Sequence, residues 1–463
     1  MKKAAPCLLV LLTCLLILPC ARGETLSLTL PDTMRPYQQQ EVTVHAPYAG
    51  QLTIQIWNAA GPQLPLCDAL PVTAGQNALL WDATSYGGMP LRAGDYHLLA
   101  HLTDENGLRS MAHAFVSVER PAAALIYALP SGEILYHRRM EPWFVDCAVT
   151  GAGVVHLECY MDKELTQCFA SIRKKLEGSG RFRIAWNGQS DGRKAPEGYY
   201  WMRAYLDGRE EDAIIFPLEI KNGREPVPDL APTGPLLPDI RDDESLWQAM
   251  LTPVAVVDIE AEDHQRLYLA PDPDSAVVGQ VHGQSQAVEV VETGARYTLV
   301  RAWRHEDGAP VEGYVPTKKL KMVLPNSRYG IMIDKASQTL TVYAAGQPVG
   351  RARVSTGLKA PDKAFRETRA GAFLTTDRLV SFDSGGYQCD YPIRIDGGNL
   401  LHQVGYQERE DGMPDFTDQS AQLGQRASEG CVRVDWRTDG EYTINAYWLW
   451  THLPWRTKVL VLP

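Results

Sequence analysis

The segment Ser428-Glu429-Gly430-Cys431-Val432-Arg433 sets one cysteine directly behind a glycine, at the mouth of a short Val-Arg-Val run of strand character. A thiol at the end of so tight a turn is open to substrate, and its thiolate is a strong nucleophile. The backbone N–H groups of Gly430 and Cys431 are placed to hold an oxyanion. Upstream, Leu400-Leu401-His402 offers an imidazole as the base for that thiol. The one other histidine beyond residue 327, His452, reads as decoration at a helix end. Cysteine with histidine points to acyl transfer through a thioester. The plain alternative for Cys431 is a disulfide partner.

These two residues must be held by strands. Residues 329–334 and 338–343 alternate as the two arms of a hairpin. Gly346 turns the chain into 352–357, and Tyr391-Pro-Ile-Arg-Ile-Asp-Gly-Gly398 reads as the strand and turn that deliver His402. In this order the segments resemble the YkuD-type L,D-transpeptidases of bacterial cell walls. That family's signature is a histidine, a spacer, then Ser/Thr-His-Gly-Cys, an aliphatic residue and Asn or Arg. The resemblance covers residues 327–463, and three departures stand out. Glu429 replaces the second histidine, the spacer 403–427 is longer than the family's, and Thr368-Arg369-Ala370-Gly371 stands where the family has Thr-Pro-x-Gly.

The resemblance implies Cys431 as nucleophile, His402 as general base and the Gly430 N–H as an oxyanion donor. Cys431 is then expected to attack the carbonyl of the third residue of a peptidoglycan tetrapeptide stem, expelling D-alanine. The amine of a neighbouring stem resolves the thioester as a cross-link. Arg433 either holds a substrate carboxylate or ties the turn by a salt bridge. Ser428 shapes the turn beside the substrate. Glu429 tends to raise the thiol's pKa, and we expect it to point away from the sulfur, binding the acceptor amine or orienting a neighbour. The spacer acids Glu408, Glu410, Asp411, Asp415 and Asp418 suggest a solvated loop, with a lid over the cleft as the alternative. Cys389 is expected to be a buried free thiol.

The chain of 463 residues is long enough for three or four domains. Its net charge of −11 disfavours nucleic acid as a partner. Lys2-Lys3, the apolar run from Ala4 to Pro19, and the small residues Ala21 and Gly23 read as a signal peptide, 1–23, cleaved before Glu24. That run is short for a membrane span, so no transmembrane segment is expected and the mature protein is expected outside the cytoplasm, at the cell wall. A lipoprotein at Cys20 is disfavoured by Pro19. Six cysteines remain: Cys67, Cys147, Cys159, Cys168, Cys389 and Cys431, of which 147, 159 and 168 offer material for one bridge. No Cys-x-x-Cys or paired Cys/His spacing suggests zinc, and no metal or other cofactor is expected.

Before residue 222 the chain repeats itself. Trp81 leads through Gly94 and Tyr96 into an alternating run, and Trp186 leads through Gly198 and Tyr200 into another. The pattern resembles the Ig-like domain of flagellar hook-capping proteins, implying two tandem β-sandwiches at 24–119 and 120–222. Both tryptophans are expected in the core. A proline-rich linker follows at 223–251 with a short helix at 245–251, then short strands at 252–323 that resemble a bacterial SH3-like domain, expected to bind the wall or to space modules. The catalytic domain, 327–463, is read as strands with one helix at 441–451 and a closing strand at 458–462. The fold class expected is mainly β and multidomain. Two further readings are an L,D-carboxypeptidase, in which water resolves the same thioester, and a wall-binding scaffold of weak activity.

Overall fold

The computed structural model describes residues 25–36, 38–59, 61–62, 65–84, 91–119, 123–139, 141–358, 366–409, 414–438 and 440–463. The expected leader at 1–23, residues 86–88 of the first repeat copy, and Glu410 and Asp411 lie outside them. Within them the chain is built from strands in several separate sheets with a few short helices, the mainly β, multidomain architecture that the alternating patterns imply. Among the described residues no helix is long and apolar enough to cross a membrane.

The first block faces a three-stranded sheet (Ser27–Thr29, Gln40–Ala46, Gly75–Trp81) with a six-stranded one. Alternation carries Val42, Val44 and Ala46, and opposite them Leu52, Ile54, Ile56, Leu98 and Leu102, into one core. The second block repeats the plan with three strands (Leu125–Pro130, Trp143–Val149, Gly180–Trp186) and five. The repeat extends to single bonds. Each tryptophan is buried and donates its indole N–H three residues on, Trp81 to the Thr84 carbonyl at 2.7 Å and Trp186 to the Gln189 carbonyl at 2.9 Å. Each tyrosine hydroxyl reaches four residues back, Tyr96 to Arg92 and Tyr200 to Pro196, both at 2.8 Å.

The strand Trp143–Val149 is buried at every residue, the mark of a sheet covered on both faces. Trp143, Val145, Cys147 and Val149 fill their own sandwich. Ala148 and the neighbouring strand's Tyr127 and Leu129 instead join the core of the C-terminal domain. There Tyr127 meets Trp450 edge-on at 4.8 Å between ring centroids.

Residues 254–323 form one antiparallel sheet of seven strands. Ahead of it the helix Asp243–Leu251 starts earlier than its apolar pattern suggests. Asp242 caps it, accepting from the Ser245 N–H, while Ser245 caps in return. Its buried Leu246, Trp247 and Met250 pack on Tyr343 and Leu460 of the C-terminal domain.

That domain is an eight-stranded mixed sheet in the order Gly371–Leu374, Lys458–Leu462, Gly330–Asp334, Thr339–Ala344, Gln347–Ser355, Val432–Val434, Asn399–Gln403, Ile393–Asp396. The opening hairpin and closing strand lie side by side in its centre, the latter parallel to Gly330–Asp334. The last helix is Ala446–His452, shorter than the 441–451 expected. Asn445 is extended and its side chain accepts from the Trp448 N–H, so the helix can begin only after it. Cys67, Cys147, Cys159, Cys168, Cys389 and Cys431 are free thiols, and the bridge considered among 147, 159 and 168 does not form.

Candidate active site

The histidine strand Asn399–Gln403 and the cysteine strand Val432–Val434 are parallel neighbours, with Leu401 opposite Val432 and His402 opposite Arg433. Leu401, Val432 and Val434 face the core. His402 and Arg433 therefore share the other face, and Cys431, two residues before Arg433, opens on that side too. The pairing of two sequence-distant strands is what sets the strand of His402 beside the strand that follows Cys431.

The turn before Cys431 is held from three directions. Gly430 sits at φ +122°, where a side chain is strained, and a Cβ there would come 2.4 Å from Asn399 Oδ1. Thr368 Oγ1 donates to the Gly430 carbonyl at 2.9 Å and accepts the Gly357 N–H at 2.8 Å. Ser428 is buried. Its backbone N–H donates to the Thr356 carbonyl at 3.0 Å, and its hydroxyl donates to the Cys431 carbonyl and accepts the Gly430 N–H at 3.3 Å. The Gly430 donor is thus engaged within the turn, while the sulfur itself accepts the Leu400 N–H at 3.4 Å.

Glu429 is exposed and pairs with Arg366. Arg433 donates to Gln422 Oε1 at 2.6 Å, which ties the cysteine strand to the spacer. The spacer is not the wholly solvated loop its acids suggest. Val404 and Phe416 are buried, and Phe416 stacks on Trp436 at 4.7 Å, while Glu408, Asp415 and Asp418 stay exposed. Apolar residues between the acids anchor it. Cys389 is buried, its thiol pushed up to about 12 by that burial, and it is among the charges that Cys431 influences.

His402 is buried, edge-on to Phe382 at 5.0 Å. Its Nδ1 lies 2.7 Å from the Gln403 carbonyl, which only a protonated Nδ1 can use, so the lone pair sits on Nε2. Burial lowers the imidazole to about 4, only partly offset by that carbonyl. The Cys431 thiol is pushed up by burial, and the Leu400 N–H and the charges of Arg433 and Arg394 pull it back. Glu429 adds a smaller push upward, the sign its carboxylate requires. Both groups are therefore neutral near pH 7. This arrangement suits proton transfer during attack rather than a standing thiolate–imidazolium pair.

Thr368, Asn399 and the Leu400 N–H were not legible as site groups. Thr368 and Asn399 lie in segments whose turn character was plain, but only the fold shows that both brace Gly430.

Residues 328–461 match the family described as YkuD, the L,D-transpeptidase catalytic domain. No curated protein matches the chain. Among solved structures, it is similar to an L,D-transpeptidase fragment from Xylanimonas cellulosilytica DSM 15894, with 23% identity and a TM-score of 0.22. That match covers 29% of this chain and 61% of the other, so the chain spans under two thirds of that relative. An L,D-transpeptidase from Mycobacterium tuberculosis H37Rv is 15% identical over 47% of this chain and 82% of its own, with a TM-score of 0.24. One from Mycobacterium smegmatis is 12% identical over 58% and 92%, with a TM-score of 0.23. Scores this low carry no argument about the whole molecule. The family match speaks for one part of the chain: residues 328–461 are an L,D-transpeptidase catalytic domain of the YkuD family.

Proposed function

We propose that the chain is an exported peptidoglycan L,D-transpeptidase working through a Cys431 thioester. The observation that carries this is the shared face of two parallel strands on which Cys431 and His402 open, within the matched domain. In the proposed cycle His402 Nε2 takes the thiol proton as sulfur attacks the carbonyl of the third stem residue. Collapse breaks the amide bond, and the same proton leaves on the amine of D-alanine. An acceptor amine then attacks the thioester, the C–S bond breaks, and the sulfur recovers a proton through His402. The oxyanion of each tetrahedral intermediate is held by the N–H groups of Gly430 and Cys431, the former turning from Ser428 to the substrate. Arg433 and Glu429 line the route of the substrate, the first beside the spacer and the second beside Arg366.

The blocks at 24–119 and 120–222 are proposed as Ig-like sandwiches and 252–323 as an SH3-like unit, together presenting the catalytic domain to the wall. The leader at 1–23 is proposed to direct export. Incubating the chain with a disaccharide-tetrapeptide and weighing the products tests the reading. Cross-linked dimers with released D-alanine support transpeptidation. Tripeptide alone assigns the chain to L,D-carboxypeptidation, and no product from a folded chain overturns both.

A further inference from the structure

Three histidines with no part in the reaction converge where the 254–323 unit meets the catalytic domain. His264 and His282 are cross-strand partners on adjacent strands, and His305 follows the strand Tyr297–Trp303. One ring nitrogen from each lies within 4.8 Å of the others. His282 Nε2 and His305 Nδ1 are 2.8 Å apart. On its far side His282 Nδ1 contacts Asp396 Oδ1 of the catalytic domain at 2.6 Å, both side chains being buried. A carboxylate accepts, so Nδ1 carries the proton and Nε2 turns its lone pair toward the cluster. The fit is close: Gly397, at φ +54°, leaves room for this ring, and a Cβ there would stand 2.4 Å from His282 Cε1.

Imidazoles from two neighbouring strands and the turn after a third, one backed by a carboxylate on its outer nitrogen, make the donor set of a divalent transition ion. With its proton on Nδ1, His282 Nε2 accepts from His305 Nδ1 at 2.8 Å, and an ion would replace that bond once His305 moves its proton to Nε2. The charges nearby permit a cation. Arg369 faces the cluster but is paired with Asp396 at 2.6 Å, and Asp263 and Glu306 flank it. His264 is exposed, which gives an ion a way in and leaves a side open to solvent.

We propose that His264, His282 and His305 bind one divalent transition ion of the zinc type, with Asp396 orienting His282 from the catalytic domain. The ion sits within the 254–323 unit and touches the catalytic domain through the His282–Asp396 bond. It also reaches the nucleophile's turn. Asp396 Oδ2 accepts from Asn399 Nδ2 at 3.4 Å, and Asn399 is the residue packed against Gly430.

The test takes the whole chain after the leader, stripped of metal, and titrates it with zinc chloride alone at neutral pH, counting bound metal after desalting. Cys431→Ala serves as the control for zinc held by the thiol. His264→Ala is the main variant because that side chain is exposed, with His305→Ala as the second. One zinc per chain is expected, kept in Cys431→Ala, at least tenfold weaker in both histidine variants, and raising the melting temperature of the parent but not of His264→Ala. No zinc retained, affinity unchanged in both histidine variants, or binding lost only in Cys431→Ala would each overturn the assignment.

Discussion

In the proposed mechanism Cys431 and His402 start from neutral ground states, and that has a measurable consequence. A histidine with its pKa lowered from 6.5 to about 4 keeps its lone pair through the mildly acidic range. The acid limb of the acylation rate against pH is therefore expected near 4, and a limb near 6.5 would contradict the buried-base picture. The same shift has a sign for stability. The unfolded chain takes up the proton first, so folding weakens as pH falls from 6.5 toward 4, and His402→Gln removes that part of the loss. These two residues stand out in the sequence because each sits in a contiguous, ordered motif. The braces around them do not stand out, since Thr368 and Asn399 meet Gly430 only once segments 62 and 31 residues away in the chain have come together. The histidine cluster was hidden for the same reason, because His282 and Asp396 lie 114 residues apart.

At the scale of elements, period-2 patterning located most strands, and their burial explains why the patterns hold. The closing strand Lys458–Leu462 was plain from its apolar run, yet its lysine is buried, an arrangement the pattern does not foretell. Lys458 Nζ donates to the Ala249 carbonyl at 2.6 Å and the Thr252 carbonyl at 2.8 Å, at the end of the helix Asp243–Leu251. Burial lowers it from 10.5 to about 7. Between those values the unfolded chain binds the proton that the folded chain lacks, so stability rises with pH, by about 1.4 kcal/mol per unit from this group. Denaturant titrations at pH 7.5, 8.5 and 9.5 should show that rise in the parent and a flatter course in Lys458→Met. Parallel curves would mean that the lysine is charged in the fold. Helix ends were the least legible elements, because caps such as Asp242 and Asn445 act through side-chain bonds that apolar spacing does not reveal.

In the whole molecule the accessory blocks are not loosely strung beads. The second block lends Tyr127, Leu129 and Ala148 to the core of the C-terminal domain. Glu141 bridges Lys321 at 3.0 Å and Arg456 at 2.6 Å, joining three blocks through one carboxylate. Burial tends to raise that carboxyl, but Arg456 and Lys321 outweigh it and hold it below the usual range. Tyr127→Ala empties a site where the ring is 2% exposed, and about 3 kcal/mol of stability should go with it. Tyr199→Ala, at 75% exposure, should cost little. Equal effects in calorimetry would deny that the Tyr127 contact matters. That the chain is mainly β and multidomain was readable from its alternation. The way its blocks lock together was not, because an outward-facing residue on one sheet looks solvated until its partner is known. The most direct measurement of the proposed chemistry is intact-mass analysis of the chain mixed with a carbapenem, beside Cys431→Ala. A single covalent adduct on the parent and none on the variant is the result expected of an acylating Cys431, whereas no adduct on a folded chain with a free Cys431 would contradict it.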